Sequence, residues 1–400
     1  MRSISQRHYH PSEYVIFPNL PPIQNMRQFK FMIDIYHDDF GTFRTVYHSL
    51  GGIYMQLGNM PFELRKRLKN HLIIGLVPFG GKFDNVMRPL LQELQELEKG
   101  VVMTIGEENV WVVAGVGLVT ADLPQGNNLG DIKQQGASRG CRMCMVPQDH
   151  LTDHTYDTIN NARFDYITKQ LFEQLQTLIN QNASQTTINT FLVQYGLCSK
   201  PGILSSLSRD RHLQTPQDPY HAFGGKVQRL IDSTLSMLND NGKETFLKYW
   251  QNCEKPVHWY RLANPIAHRN SFMFSDALQL AMLMPFILRR FLDQNCFKPS
   301  ELTNLRNWIS PATGNRTLTI PQAIVRLVNC WVVVSKAAAT SSKLQFTRND
   351  YDDLKNLLLE EKRCLLEVCE LALLVFVSQV FGTFNYVSFI YICEFIIVFS

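Results

Sequence analysis

Two short apolar runs that each end in a carboxylate beside a turn constrain this chain most: Met32 to Gly41 (MIDIYHDDFG) and Val116 to Pro124 (VGLVTADLP). Phe29 to Ile35 alternates and is rich in β-formers, which predicts a strand ending near Asp38. Arg44 to Leu57 carries Gly51-Gly52 inside an apolar, aromatic pattern, a second strand bent or bulged at the glycines. Asn70 to Phe79 (NHLIIGLVPF) reads as a third, more buried strand. Asp84 to Lys99 is the clearest helix: Asp84 can cap it, Val86, Leu90, Leu94 and Leu97 recur at helical spacing, and Gly100 can close it. Proline is comfortable only in a first helical turn, so Pro89 predicts that the regular part begins there. Val110 to Val119 (VWVVAGVGLV) is a near-continuous apolar run, as in a central strand covered on both faces.

The expected order is strand, strand, strand, helix, strand, with Asp38 after the first strand and Asp122 after the fourth, 84 residues apart. That interval has room for two strands and a crossover helix, so both acids should reach one edge of a mixed sheet. This is the order of an RNase H-like sheet, which brings two aspartates together to hold divalent metal. Clustered carboxylates of this kind suit phosphodiester chemistry, because Mg²⁺ or Mn²⁺ makes their mutual repulsion tolerable. The bland alternative is that both are turn or capping residues, since Asp-Phe-Gly and Asp-Leu-Pro both occur at turns.

The fold class is thus α/β: an arm over 1–28, a β-β-β-α-β core over 29–156, a mainly helical extension over 157–370, and an apolar tail. The tail, 371–400, carries one charge, Glu394, and is long enough to cross a bilayer, although Gln379, Gly382, Asn385 and Glu394 interrupt it. A content of 45% hydrophobic and 18% charged residues excludes a disordered chain. A net charge of +4 permits nucleic acid as a partner without arguing for it. Nine scattered cysteines point to reduced thiols, and the polar N-terminus has no apolar core of a secretory signal. Arg65-Lys66-Arg67-Leu68-Lys69, with Lys133, Arg139 and Arg142, could neutralise phosphates, or could be ordinary solvated loop. Gly80-Gly81-Lys82 does not match a phosphate loop and reads as a turn.

Cys141 and Cys144 have zinc-ligand spacing but make only half a tetrahedral site. His150 and His154 could supply the other half, or the pair is simply two buried reduced thiols. Asp218-Pro219-Tyr220-His221 is a metal- or proton-handling element or a helix-starting turn, and His37 is expected to be a packed strand residue.

Several segments between Lys30 and Pro285 resemble transposases of the CACTA (En/Spm) type and related fungal transposase-derived proteins. They are DDFGTFRTVYHSLGGIYMQLGNMP (38–61), NHLIIGLVPFGGKFDNVMRPLLQEL (70–94), VTADLPQGNNL (119–129), GASRGCRMC (136–144) and DPYH (218–221). The resemblance implies a DDE/D-type enzyme that cuts and joins DNA with two Mg²⁺ or Mn²⁺ ions, acts on transposon ends and works in the nucleus. It places Asp38 first, with Asp39 as fallback, and Asp122 second. For the third acid it offers Asp276, then Glu360 or Glu361, or a segment that is missing. It also favours His221 as a Zn²⁺ ligand beside Cys141 and Cys144. A homo-oligomer, an inactive DNA-binding relative and a membrane-anchored protein stay open as alternatives.

Overall fold

The computed structural model describes residues 21–41, 48–133, 137–150, 153, 156–157, 160–217, 219–257, 259–307, 318–343 and 347–368. The apolar tail, His154 and Asp218 lie outside them. The chain divides into two compact units. The first draws on Met1–Gln148 and Asp157–Asp218, and the second on Asp149–Tyr156 and Pro219–Tyr386.

The first unit is mixed α/β. Its five strands are β1 (Gln28–Gly41), β2 (Ser49–Leu57), β3 (Leu72–Val77), β4 (Val101–Ile105) and β5 (Glu108–Ala121), in the spatial order β3-β2-β1-β5-β4. β1 pairs antiparallel with β2 and parallel with β5, while β4 and β5 form an antiparallel pair. β4 is absent from the order expected of the sequence. Its one signal is Gly106, whose φ of 67° lets two β-prone runs fold back on each other.

After the short turn α1 (Phe62–Arg65) comes the long helix α2 (Phe83–Lys99). It starts at Phe83 and runs through Pro89 without breaking there. Met87 and Leu94 of α2 pack with Ile33 and Ile35 of β1, Ile53 of β2, and Val116 and Val119 of β5. The odd-numbered positions of β1 therefore face α2. β5 is buried without interruption from Val110 to Gly117, as its apolar run predicts for a central strand.

One irregularity aligns the far end of the sheet. β1 meets β5 as Ile33 opposite Val116 and then as Ile35 opposite Val119, so β5 carries an extra residue in a bulge at Gly117 and Leu118. Asp34 fills it. Its Oδ1 accepts the Leu118 N–H at 2.8 Å, and a Cβ on Gly117 would lie 2.3 Å from that same oxygen. Burial raises the Asp34 carboxyl to about 6, against the pull of that hydrogen bond and of Arg65. Beyond the sheet, α3 (Leu123–Leu129), α4 (Asp165–Asn180) and α5 (Gln185–Tyr195) complete the unit, and Leu171, Phe172, Leu175 and Leu192 form a small core with Ile132.

The second unit is helical: α6 (Pro219–Met237), α7 (Asp240–Asn252), α8 (Phe274–Phe291), α9 (Pro299–Asn307), α10 (Ile320–Ser341) and α11 (Arg348–Val368). α10 is long and apolar enough to cross a membrane. Its Ala323, Leu327, Cys330, Trp331 and Val334 instead pack in a core with Leu230 and Ile231 of α6 and Ala277, Leu280 and Met284 of α8. Lys226 of α6 and Glu361 of α11 form an ion pair at 2.5 Å with both side chains enclosed.

Candidate functional site

β1, β3 and β5 all run toward one edge of the sheet, because β1 is parallel to β5 and two antiparallel steps away from β3. In open α/β sheets, clefts that bind ligands form at this carboxyl edge. A cleft of about 580 Å³ opens there, lined by His37, Asp39, Gly51, Lys82, Gln125 and Lys200, among others. Its volume lies within the range of ordinary ligand sites.

Strand alternation sorts the neighbouring acids. His37 and Asp39 follow Ile33 and Ile35 on the α2 side, and the His37 ring packs 5.1 Å from that of Phe83. Asp38 takes the other face, where Tyr36 donates its hydroxyl to Oδ2 at 2.9 Å. The register ends with His37 opposite Ala121, so the next positions, Asp38 and Asp122, come level on adjacent strands. Asp122 ends β5 and caps α3, its Oδ1 accepting the Gln125 N–H at 2.9 Å. The Gln125 amide then donates to Asp39 Oδ2 at 3.0 Å, linking the helix to the end of β1. The first and second acids thus stand at the ends of adjacent parallel strands, with Asp38 on the face away from the cleft. Asp39, the fallback, is the one that lines the cleft.

The sequence assigns His37 only to strand packing, yet it lines the cleft, and its buried Nε2 has no hydrogen-bond partner. That nitrogen lies 3.7 Å from Asp39 Oδ1. Burial lowers the imidazole below its usual range, while Asp39, Asp122 and Asp38, in that order, pull it upward. Gly51 stands opposite Asp39 in β2, where a Cβ would lie 2.7 Å from Asp39 Oδ1 and 2.9 Å from His37 Nε2. The missing side chain is what leaves room for the pair.

The other predicted site residues belong to other elements. Asp276 occupies the first turn of α8 in the second unit, where it accepts the Met273 N–H at 2.9 Å and a hydrogen bond from the Tyr260 hydroxyl. Glu361 is buried against Lys226, and Glu360 pairs with Arg363 at 2.5 Å. Cys141 and Cys144 are both buried, and neither is in a disulfide. Burial alone would raise Cys141, but Cys144, the N–H groups of Met143 and Cys144, and Arg163 outweigh it and bring the thiol down to about 7. His150 is half-exposed beside Asp153, and His221 lies on α6 with its side chain outside those described. Among the described residues no three His, Cys, Asp or Glu side chains cluster around one point. The other zinc ligands expected beside Cys141 and Cys144 fall partly outside the described residues, namely His154 and the side chain of His221.

Arg142 overturns its assignment to the phosphate-neutralising loop. It is fully buried behind α3, where it donates to Leu123 O at 3.3 Å, to Asn127 Oδ1 at 3.4 Å and to Pro216 O at 2.7 Å. A Cβ on Gly126 would lie 2.0 Å from its Nη1. A second buried network has no signature in the sequence pattern: Arg211 bridges Asp131 at 2.5 Å and Asp165 at 2.6 Å, beneath the cleft-lining loop 198–202. Asp131 also accepts the Gly202 N–H at 2.7 Å, which anchors that loop. Cations that do reach the cleft are Lys82, at the start of α2, and Lys200.

Comparison with known proteins gives no match among family models and none among curated sequences.

Proposed function

We propose that this cleft cuts and joins DNA strands by metal-assisted phosphodiester chemistry of the transposase kind, on a sheet of RNase H-like plan. The observation that carries this reading is the placement of Asp39 in the cleft wall at the end of β1, joined through Gln125 to Asp122 at the end of the adjacent parallel strand. The segment resemblances to CACTA-type transposases add to it. The local residues suit a divalent ion in two ways: the buried Nε2 of His37 lacks a partner, and Gly51 leaves space where a side chain would otherwise fill the gap beside Asp39. An ion of the Mg²⁺ or Mn²⁺ type keeps several waters and needs only one or two carboxylates besides substrate phosphates. Asp39 and Asp122 would hold it.

When bound, such an ion supplies charge neutralisation for the attacking and leaving oxygens of the phosphodiester. The protein's own residues do the rest. Gln125 holds Asp39 and Asp122 in a fixed relation through its amide and its backbone N–H. Lys82 and Lys200 offer positive charge to the phosphates that flank the reacting one. Nicking of supercoiled plasmid in Mn²⁺ tests the reading. The wild type should nick, and Asp39→Ala and Asp122→Ala should not. Equal nicking by all three removes the assignment.

The second reading is a DNA-binding relative without catalysis. It is favoured by the capping role of Asp276 and the burial of Glu361 against Lys226, which occupy the acids proposed for the third place. Retarded migration of DNA in a gel, with no nicking in any divalent ion, would select it.

A further inference from the structure

We propose that His37 is itself a ligand, with Asp39, of the divalent ion at this strand edge, and that its nitrogen directs the site toward Mn²⁺ or Co²⁺ and away from Mg²⁺. The inference rests on the metal-dependent reading above and adds the identity of the ion. Three observations carry it. The Nε2 of His37 is buried, lines the cleft and has no hydrogen-bond partner, which a packed strand histidine would ordinarily find. Asp39 turns one oxygen to the Gln125 amide at 3.0 Å and the other toward this nitrogen, 3.7 Å away. Gly51 removes the one side chain that would wedge between them, since its Cβ would touch both atoms.

The separation is too long for a hydrogen bond and close to what an ion needs. An ion about 2.1 Å from each atom spans about 3.0 Å at an octahedral corner and about 3.4 Å at a tetrahedral one. A small turn of the Asp39 carboxylate closes the difference, and Asp39 is the more exposed of the two partners. Mg²⁺ takes oxygen ligands, whereas an imidazole nitrogen suits transition ions, and affinity rises from Mn²⁺ to Co²⁺. With His37 and Asp39 in place, the remaining positions would fall to Asp122, to water and to the oxygens of a phosphodiester.

The test is spectroscopic and uses the full chain. Mn²⁺ is titrated into the wild type, His37→Ala, His37→Gln and Asp39→Asn, with bound ion read by electron paramagnetic resonance and Mg²⁺ added as competitor. In the wild type, electron spin-echo modulation from a coordinated imidazole nitrogen should appear, and Mg²⁺ should compete poorly. Both His37 variants should lose that modulation and bind Mn²⁺ at least about tenfold more weakly, with far-ultraviolet circular dichroism unchanged. Wild-type binding that depends on Asp39 and shows no nitrogen modulation overturns the role of His37 and leaves the metal-dependent reading standing. A wild type that binds no Mn²⁺ and nicks no DNA overturns both.

Discussion

The carboxyl edge of the sheet and the core of the helical unit handle carboxylates in opposite ways. Glu361 is enclosed, and the fold supplies its counter-charge in Lys226 at 2.5 Å. Asp39 lines an open cleft, where the neutral Gln125 amide donates to one of its oxygens and the buried His37 ring faces the other. An enclosed acid with its own cation is a structural element, because removing either partner strands a buried charge. An acid in a cleft wall, oriented by a neutral donor as Asp39 is, keeps its charge accessible from solution. The difference teaches that the kind of donor a fold gives a carboxylate indicates what that acid serves.

The contrast can be broken most severely at the enclosed pair. Lys226→Ala should cost about 3–5 kcal/mol in urea unfolding, whereas replacing both Lys226 and Glu361 with apolar residues should recover most of the loss. An equal loss in the double variant would show that packing, not the stranded charge, decides stability there.

Asp34 gives the next effect, through pH. Its folded value of about 6 exceeds its ordinary 3.8, so the fold favours the neutral acid. Its contribution is most favourable below pH 4, is lost as pH rises toward 6, and is constant above that. The change amounts to up to about 3 kcal/mol, because each tenfold gain in proton affinity on folding is worth about 1.4 kcal/mol. Asp34→Asn keeps an oxygen for the Leu118 N–H, so it should flatten stability between pH 4 and 6 in denaturant titrations. A slope as steep as the wild type's would assign the effect to another group.

At the cleft, Asp39→Ala and Asp122→Ala should reduce Mn²⁺-dependent nicking by at least about a hundredfold, equivalent to about 2.7 kcal/mol of barrier. Stability should fall little: Asp122→Ala removes a helix cap worth about 1 kcal/mol. Thermal unfolding beside the nicking assay separates the two effects, and a variant that loses both together would be structural like Glu361. The smallest change belongs to Glu360, one residue from Glu361. Its pairing with Arg363 is half-exposed, so Glu360→Ala should shift unfolding by no more than about 0.5 kcal/mol.

Much of the first unit is legible in the sequence because its elements are strongly periodic. β1, β3, α2 and β5 each fall close to their expected limits, and the level ends of β1 and β5 follow from two parallel strands and a crossover. Less is visible where tertiary burial overrides local pattern. Pro89 suggests a helix beginning there, but α2 already starts at Phe83. Arg142, Arg163 and Arg211 are buried by carbonyls and carboxylates distant in sequence, as when Arg163 donates to Cys141 O at 2.6 Å and to Tyr195 O at 2.9 Å. No local spacing announces such contacts. His37 resembles packing because its neighbours alternate as core, and only the vacant position at Gly51 reveals a cleft wall. The Gly51-Gly52 signal is present but reads as backbone geometry, when at Gly51 it also concerns space.

The bulge in β5 has a consequence for which acid meets which. It stores an offset of one residue, with Asp34 as the pin that keeps it from relaxing. If the ladder slipped to absorb that residue, Asp122 would slide from the level of Asp38 to that of Asp39. Each side chain after Leu118 would then turn to the opposite side of the sheet. The pairing of charges at the far end is thus decided about 13 Å upstream, roughly four residues of extended strand, by an acid that never reaches the cleft.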